Sequence, residues 1–191
     1  MRIVLASESP RRKELLALMG LEFTAVASNI EEQPPKNGSM DEMVMALALQ
    51  KSRAVAAAYP NDCVIGADTM VSLDGEALGK PHTPENAKAY LGRMQGRKHT
   101  VYTGVAVLTN SREDVRSCMT TVTFLPMSKA EIDWYVSTGE PLDKAGAYGV
   151  QGLGSIFVER IEGNYFNVIG MPLPLLYRML LDAHVLHKDR T

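Results

Sequence analysis

Strand-forming segments alternate with helix-forming segments along almost the whole chain. The apolar run 2–6 and the alternating run 21–28 are typical strands, and the stretch from Pro10 to Met19 between them has the composition of a helix that stops at a glycine. The β-rich runs 99–109 and 115–126 are close enough in sequence to pair as antiparallel neighbours. This mixture predicts an α/β fold with a mixed sheet and flanking helices, rather than a strictly alternating, doubly wound one.

The same patterns predict the other elements. They are a helix from Asp41 to Ala58, a strand over 63–73, a helix opened by Thr83 or Pro84 and ending near Gly96, a helix capped by Ser128 and ending at Gly139, a strand over 156–163 and a C-terminal helix within 170–186. The stretches 29–39, 74–81 and 143–155 are rich in Pro, Gly or polar residues and are predicted loops or turns. Because no repeat, low-complexity tract or linker interrupts the sequence, we expect a single domain over residues 1–191.

Composition and charge exclude several classes of function. The chain is 46% hydrophobic with a formal net charge of −2, so it can bury a core and lacks the basic excess of a non-specific nucleic-acid binder. No apolar run approaches the roughly 20 residues of a membrane span. Cys63 and Cys118 match no metal or redox spacing, and two reduced thiols suit a cytoplasmic protein. We therefore expect a cytoplasmic protein without a nucleic-acid or membrane partner.

The stretch "ASESPRRKELL" combines a helix start with a cluster of cations. Ser9 is suited to the N-cap and Pro10 to the first helical position, yet residues 11–13 are two arginines and a lysine at the positive end of the helix. A strand, a short loop and a helix N-terminus form an anion site, to which Ser7 and Ser9 add hydroxyl donors. Guanidinium groups bind phosphate bidentately. The stretch thus predicts a phosphate site, with solvated surface cations as the alternative.

Carboxylates occur at two points where they could carry chemistry. Asp68 and Thr69 interrupt an apolar strand, where a carboxylate is costly unless it is paired, metal-bound or at a strand end that faces a cleft. A structural Asp that holds a turn is the alternative. Glu31 and Glu32 offer oxygen ligands suited to Mg²⁺, although taken alone they are ordinary exposed residues.

"GEALGKP" resembles a phosphate-binding P-loop but departs from it. Only three residues separate the glycines, and Pro81 stands where Ser or Thr is required. Lys80 is therefore either a lone phosphate-facing lysine or a solvated turn residue.

"DKAGAYGVQG" is rich in glycine but lacks the dinucleotide-binding spacing. Dense glycine permits a close approach of the backbone to a ligand. Lys144 flanks the stretch, and Gln151 offers an amide able to read the edge of a base. An ordinary flexible loop is the alternative.

Taken together, "LASESPRRKELL", "IEEQ", "GADTMV", "GKP", "DKAGAYGVQGLG" and "GNYFNVIGMPL" closely resemble the Maf family of nucleoside triphosphate pyrophosphatases, with all blocks in the family's order. The resemblance implies hydrolysis between the α and β phosphorus atoms, which yields a nucleoside monophosphate and pyrophosphate. It implies a divalent metal cofactor such as Mg²⁺ or Mn²⁺. It also implies an elongated, twisted mixed sheet like that of inosine triphosphate pyrophosphatases, two lobes around a central cleft, a cytoplasmic location and a homodimer.

The resemblance further implies roles for individual residues. Asp68 matches the proton acceptor, and a second set matches the polar residues of the cleft: Ser7, Arg12, Glu32, Lys51 and Lys80. Among these, Arg12, Lys51 and Lys80 are expected to neutralise the triphosphate, while Glu32 and Asp68 are expected to hold the metal.

Base selectivity is implied by three further positions. Arg11, Thr69 and Gln151 match the branch that acts on dTTP and UTP, whereas the sister branch, which acts on 7-methyl-GTP, carries an aromatic residue, Gln and Glu there. Ser9 and Lys144 complete the expected substrate-binding set. Modified pyrimidine nucleotides are further candidate substrates. The alternative function is a non-catalytic, nucleotide-binding regulator of cell division, which would bind nucleotides without releasing pyrophosphate.

Overall fold

The structure, a computed structural model, describes residues 1–35 and 37–186. Residue 36 of the predicted loop and residues 187–191 of the predicted domain lie outside the described part. The strands are β1 (Ile3–Leu5), β2 (Phe23–Ala25), β3 (Cys63–Leu73), β4 (Glu76–Leu78), β5 (Lys98–Thr109), β6 (Arg112–Phe124) and β7 (Val158–Glu162). The α-helices are α1 (Pro10–Leu18), α2 (Met40–Ala56), α3 (Pro84–Met94), α4 (Lys129–Ser137), α5 (Tyr165–Ile169) and α6 (Leu173–Asp182). Short 3₁₀ turns cover Glu140–Asp143, Ala145–Ala147 and Leu153–Phe157.

The strands form one mixed sheet in the order β2-β1-β3-β5-β6-β7, with β4 paired to β3. Strand β1 runs parallel to both β2 and β3, whereas β4 is antiparallel to β3 and β7 is antiparallel to β6. Only residues 110–111 separate β5 from its sheet neighbour β6, as in an antiparallel hairpin. The predicted α/β class with a mixed sheet is confirmed.

Side-chain caps explain where α2 and α4 begin. Ser39 and Ser128 each form a capping box, with Glu42 and Glu131 respectively. Ser9 does occupy the N-cap position of α1, but its side chain makes no capping hydrogen bond. Its backbone N–H instead donates to Ser7 Oγ at 3.2 Å.

The structure corrects several predicted boundaries. The predicted turn 74–81 contains strand β4, which pairs with β3 across Asp74 and Gly75. Both turn residues have positive φ, as a tight hairpin turn requires. The predicted strand 21–28 shrinks to the three residues of β2, and the start of the predicted strand 156–163 is 3₁₀. The five-residue helix α5 is too short for its period to be recognised in sequence.

The described chain divides into two compact units. The first comprises residues 1–68, 103–118 and the C-terminal stretch from Gly170, and the second comprises residues 69–102 and 119–169. Each has its own hydrophobic core. The core of the first includes Val4, Ala48, Val55, Val64 and Ala106, and that of the second includes Leu91, Met94, Phe124, Tyr135 and Tyr148. The expected arrangement of two lobes around a cleft stays a prediction.

Within the described residues, no helix combines the length and apolar character needed to cross a membrane.

Candidate functional site

Two glycines let helix α2 lie directly on strands β3 and β5 of the sheet. A Cβ on Gly66 in β3 would overlap Ser52 Oγ, and a Cβ on Gly104 in β5 would overlap the carbonyl of Val44. Residues 66 and 68 share one face of β3, because side chains alternate along a strand. The close approach of α2 therefore brings Lys51 to Asp68.

Lys51 links two carboxylates. Its Nζ lies 2.5 Å from Asp68 Oδ1 and 2.9 Å from Glu32 Oε1. The side chains of Lys51 and Asp68 are 12% and 11% exposed, whereas that of Glu32 is 47% exposed. Buried charges of this kind persist only when they are paired, so Lys51 and Asp68 stabilise each other in the interior. The third member, Glu32, is exposed to solvent. The structure thus unites three of the predicted site residues.

The segment that carries Glu32 is fastened to α2 by a residue that the sequence did not single out. Gln50 Oε1 accepts from the backbone N–H of Gln33 at 3.1 Å, and Gln50 Nε2 donates to the Gln33 carbonyl at 2.7 Å. Gln50 precedes Lys51, and Gln33 follows Glu32. The amide pair therefore fixes the backbone beside the Lys51–Glu32 contact.

Arg12 lies in the first turn of α1 in the same unit and is half-buried. Its Nε donates to the carbonyl of Gly170 at 3.0 Å. Burial lowers the pKa of Arg12, and the neighbouring charges of Asp68 and Glu32 oppose that shift. An arginine stays protonated under these conditions, so a fixed positive charge lies within the field of both carboxylates. Ser7 is buried at the end of β1, before this helix.

Ser9 and Arg11, at the start of α1, also lie in the first unit, whereas Thr69, Lys80, Lys144 and Gln151 belong to the second. Thr69 follows Asp68 on β3 and is half-buried, while Lys80 and Gln151 are exposed. The Gly146 N–H donates to the Gly79 carbonyl at 3.1 Å, which joins the segments of Lys80 and Lys144.

Lys144 is engaged within its own segment. Its ammonium donates to the Glu140 carbonyl at 2.7 Å and to Asp143 Oδ1 at 2.8 Å. It therefore stabilises this turn with two N–H donors, and an ammonium group has a third donor with which to meet a substrate.

The donor chemistry at Lys51 suits a hard divalent cation. Glu32 and Asp68 each direct one oxygen to the Lys51 ammonium, and Mg²⁺ is commonly held by one or two carboxylates with phosphate oxygens completing the shell. Across residues 1–35 and 37–186 no group of three or more His, Cys, Asp or Glu side chains could hold a metal by itself. Two carboxylates are a donor set that Mg²⁺ accepts when phosphate oxygens are also present.

Comparison with known proteins gives consistent matches. The family model described as "Maf-like protein" matches residues 2–183. The chain is 47% identical over 184 residues to a dTTP/UTP pyrophosphatase of Bacillus velezensis, covering 96% of this chain and 97% of that protein. It is 51% identical over 181 residues to a dTTP/UTP pyrophosphatase of Moorella thermoacetica, covering 94% and 93% respectively.

Solved structures match in fold. The Ham1 protein of Staphylococcus aureus gives a TM-score of 0.57 at 15% identity and covers 96% of this chain and 100% of that one. A HAM1 protein from Coxiella burnetii gives a TM-score of 0.51 at 14% identity, with 95% and 99% covered. At such identities the likeness concerns the fold alone.

Proposed function

Because the chain belongs to the Maf family, we propose that it is a nucleoside triphosphate pyrophosphatase that hydrolyses dTTP and UTP to the monophosphate and pyrophosphate. The observation that carries the proposal is the cluster of Lys51, Asp68 and Glu32 beside the fixed charge of Arg12. The cluster combines cations that can bind a polyanion with a buried carboxylate that can accept a proton. The relatives that match over nearly their full length are named for this activity.

Neutralisation of the triphosphate is the first task of the site. The substrate carries about four negative charges, which repel an attacking hydroxide, and most of phosphoryl-transfer catalysis consists of positioning and charge stabilisation. We assign Arg12, Lys51 and Lys80 to this task. The N-terminus of α1, with the hydroxyls of Ser7 and Ser9, supplies further donors to phosphate oxygens.

Asp68 orients the attacking water and accepts its proton. The water oxygen bonds to one phosphorus as the bridging oxygen between the α and β phosphorus atoms leaves, so nucleoside monophosphate and pyrophosphate are released. Lys51 holds Oδ1 of Asp68 and so fixes the direction of the carboxylate. A carboxylate is a sufficient base when the water is already polarised.

Glu32 and Asp68 would hold a divalent cation such as Mg²⁺ or Mn²⁺. When bound, such an ion screens phosphate oxygens and increases the acidity of a coordinated water. Arg12 and Lys51 provide the chain's own positive charges at the same place.

The base is read by Arg11, Thr69 and Gln151 in this proposal, and Lys144 contributes to substrate binding. A pyrimidine presents carbonyl oxygens and an N–H, which suit amide, hydroxyl and guanidinium partners. A wrong base leaves such groups unpaired and costs about 1–3 kcal/mol for each. Modified pyrimidine nucleotides with the same edge are further substrates of this proposal.

We place this activity in a cytoplasmic homodimer whose protomer is one domain with two lobes around the substrate cleft. The family resemblance supports this assignment. Two free cysteines, of which Cys63 is fully buried and Cys118 half-buried, suit the cytoplasmic location.

Pyrophosphate release from a panel of nucleoside triphosphates, with Mg²⁺ or Mn²⁺, tests the proposal. We expect release from dTTP and UTP and much less from purine nucleotides. Saturable nucleotide binding without release across the whole panel would instead favour a non-catalytic regulator.

A further inference from the structure

The glycines of the stretch 149–154 make room for protein atoms. A Cβ on Gly152 would overlap the carboxylate of Glu140, and a Cβ on Gly154 would overlap the hydroxyl of Tyr135. A Cβ on Gly149 would lie 3.2 Å from Glu140 Oε1 and 3.0 Å from Lys144 Cε. The glycine-rich pattern therefore lets the backbone approach Glu140 and Tyr135.

Glu140 binds the backbone on one side of Gln151. Its Oε2 accepts from the N–H of Leu153 at 2.9 Å, and its Oε1 accepts from the N–H of Gly154 at 3.2 Å. Glu140 stands at the start of a 3₁₀ turn, and these bonds span 13 and 14 residues of sequence. They fix the chain immediately after Gln151.

Tyr135 completes the attachment on the other side. Its hydroxyl donates to Glu140 Oε1 at 2.8 Å and accepts from the N–H of Gly149 at 3.1 Å. The ring of Tyr135 is fully buried in the core of the second unit, beside Phe157. Gln151 thus lies between two anchored points, while its own side chain is exposed.

The charge state of Glu140 suits this role. Burial opposes its ionisation, but the hydrogen bonds from Leu153, Tyr135 and Gly154 outweigh burial and lower the pKa of Glu140 below its ordinary value. Lys144 adds a nearby positive charge. At neutral pH the carboxylate is therefore ionised and accepts all three bonds.

We propose that Glu140 is a positioning residue for nucleotide selectivity, which acts by holding the backbone on both sides of Gln151 through its own bonds and through Tyr135. The inference rests on the proposed function, because it assigns Gln151 to the base. An unanchored segment would let the amide sample many orientations, and a base would then have to order it on binding. That cost raises the KM of the preferred nucleotide and leaves kcat nearly unchanged.

The test compares Glu140→Ala, Glu140→Gln and Tyr135→Phe with Glu131→Ala. Glu131 is the matched control, since it also accepts a backbone hydrogen bond in the second unit, but the hydrogen bonds that its carboxylate accepts come from Ser128 at the start of α4. For each protein the kcat and KM for dTTP and GTP are measured, together with hydrogen exchange of the amides of residues 149–154.

We expect Glu140→Ala to lower the dTTP-over-GTP ratio of kcat/KM about ten-fold, through KM, and to speed exchange at Leu153 and Gly154. Glu140→Gln keeps one acceptor oxygen, so its dTTP-over-GTP ratio should lie between those of the wild type and Glu140→Ala. Tyr135→Phe should speed exchange at Gly149. Glu131→Ala should lower thermal stability without changing the ratio.

An unchanged ratio in Glu140→Ala, Glu140→Gln and Tyr135→Phe would overturn the inference, even if exchange were faster. If the wild-type protein releases no pyrophosphate, the proposed function fails instead. The ratio of the dissociation constants of dTTP and GTP then decides the inference in the same variants.

Discussion

The ammonium of Lys51 lies 2.5 Å from Oδ1 of Asp68, and about nine-tenths of each side chain is buried, at 12% and 11% exposed. The two residues come from a helix and a strand, so the pair forms only when α2 is seated on the sheet. Removal of Lys51 would leave the buried carboxylate of Asp68 without this ion pair, whereas removal of Asp68 would leave Lys51 paired with the half-exposed Glu32. The pair therefore connects the stability of the first unit to its proposed chemistry.

Replacement of Asp68 by Asn should abolish turnover while nucleotide binding persists. Asparagine keeps the shape but cannot take up a proton, so we expect kcat to fall by about 10²–10⁴-fold. Pyrophosphate release and dTTP titration measure the two effects. Asp62→Asn is the control, because Asp62 is a buried carboxylate paired with Arg2 at 2.6 Å, and its loss should reduce stability without a comparable loss of kcat. A near-normal kcat in Asp68→Asn would remove the base role.

Gln50→Ala should weaken metal binding more than it weakens the fold. Without its amide, the backbone beside Glu32 loses both hydrogen bonds to α2. We expect the Mg²⁺ concentration for half-maximal activity, and the Mn²⁺ dissociation constant in the presence of nucleotide, to rise about ten-fold. Gln33→Ala is the control, since Gln33 uses only its backbone in these bonds. Equal metal affinity in the two variants would contradict the prediction.

Gln151→Glu should reduce the use of dTTP and UTP without loss of stability. The carboxylate lacks the amide's donors, and a lost donor to a buried base edge costs about 1–3 kcal/mol, or roughly ten-fold or more in kcat/KM. Because the side chain is exposed, the melting temperature should not change. Unchanged relative activity across nucleotides would show that another residue reads the base.

His99 should make the protein less stable in mild acid. Burial lowers the pKa of His99 to about 4, so the native ring is neutral and its Nε2 lies 2.9 Å from the Tyr148 hydroxyl. The unfolded chain takes up this proton near pH 6.5, so stability falls as the pH drops from there toward 4. Between about pH 7 and 5 the loss is about 2 kcal/mol.

Urea unfolding of the wild type and His99→Phe at both pH values measures this effect. The variant should be less stable at pH 7, yet its stability should change less between the two conditions. Carboxylates with lowered pKa values change the stability mostly below pH 5, and they do so equally in the wild type and in His99→Phe. Equal pH dependence would refute the assignment.

Gly104→Ala should strongly destabilise the first unit, whereas Gly92→Ala should stabilise the protein. The new Cβ at residue 104 meets the backbone of α2, which cannot move away cheaply, and overpacking of this kind costs about 1–3 kcal/mol or more. Gly92 lies inside α3 with open space around it, where Ala is favoured by about 1 kcal/mol. Thermal unfolding of both variants checks the opposite signs.

Features with a local cause could be predicted from the sequence. The start of α4 follows from Ser128, a residue type suited to the N-cap, and the turn at Asp74 and Gly75 follows from the turn residues of the stretch 74–81. Strand β4 was missed because three residues are too few to show alternation.

Contacts between distant segments left no such signal. The bonds of Gln50 to Gln33 and of Glu140 to Leu153 join a side chain to a backbone. Every residue type has backbone groups of this kind, so the sequence does not indicate which residue is the partner. The glycines at 149–154 can be recognised in the sequence, but the sequence does not indicate that they make room for Glu140. Lys51 was singled out through family resemblance, and its contact with Asp68 depends on a helix crossing that periodicity does not specify.

Helix α2 makes two close contacts with the sheet, Val44 against Gly104 and Ser52 against Gly66. Because an α-helix has 3.6 residues per turn, one residue inserted between these contacts would rotate the following part of the helix by about 100°. Gln50 and Lys51 would then turn away from their partners even though no side chain had been replaced. The spacing from Val44 to Ser52 therefore acts as a ruler, and this stretch should tolerate substitutions on its outer face but no change in length.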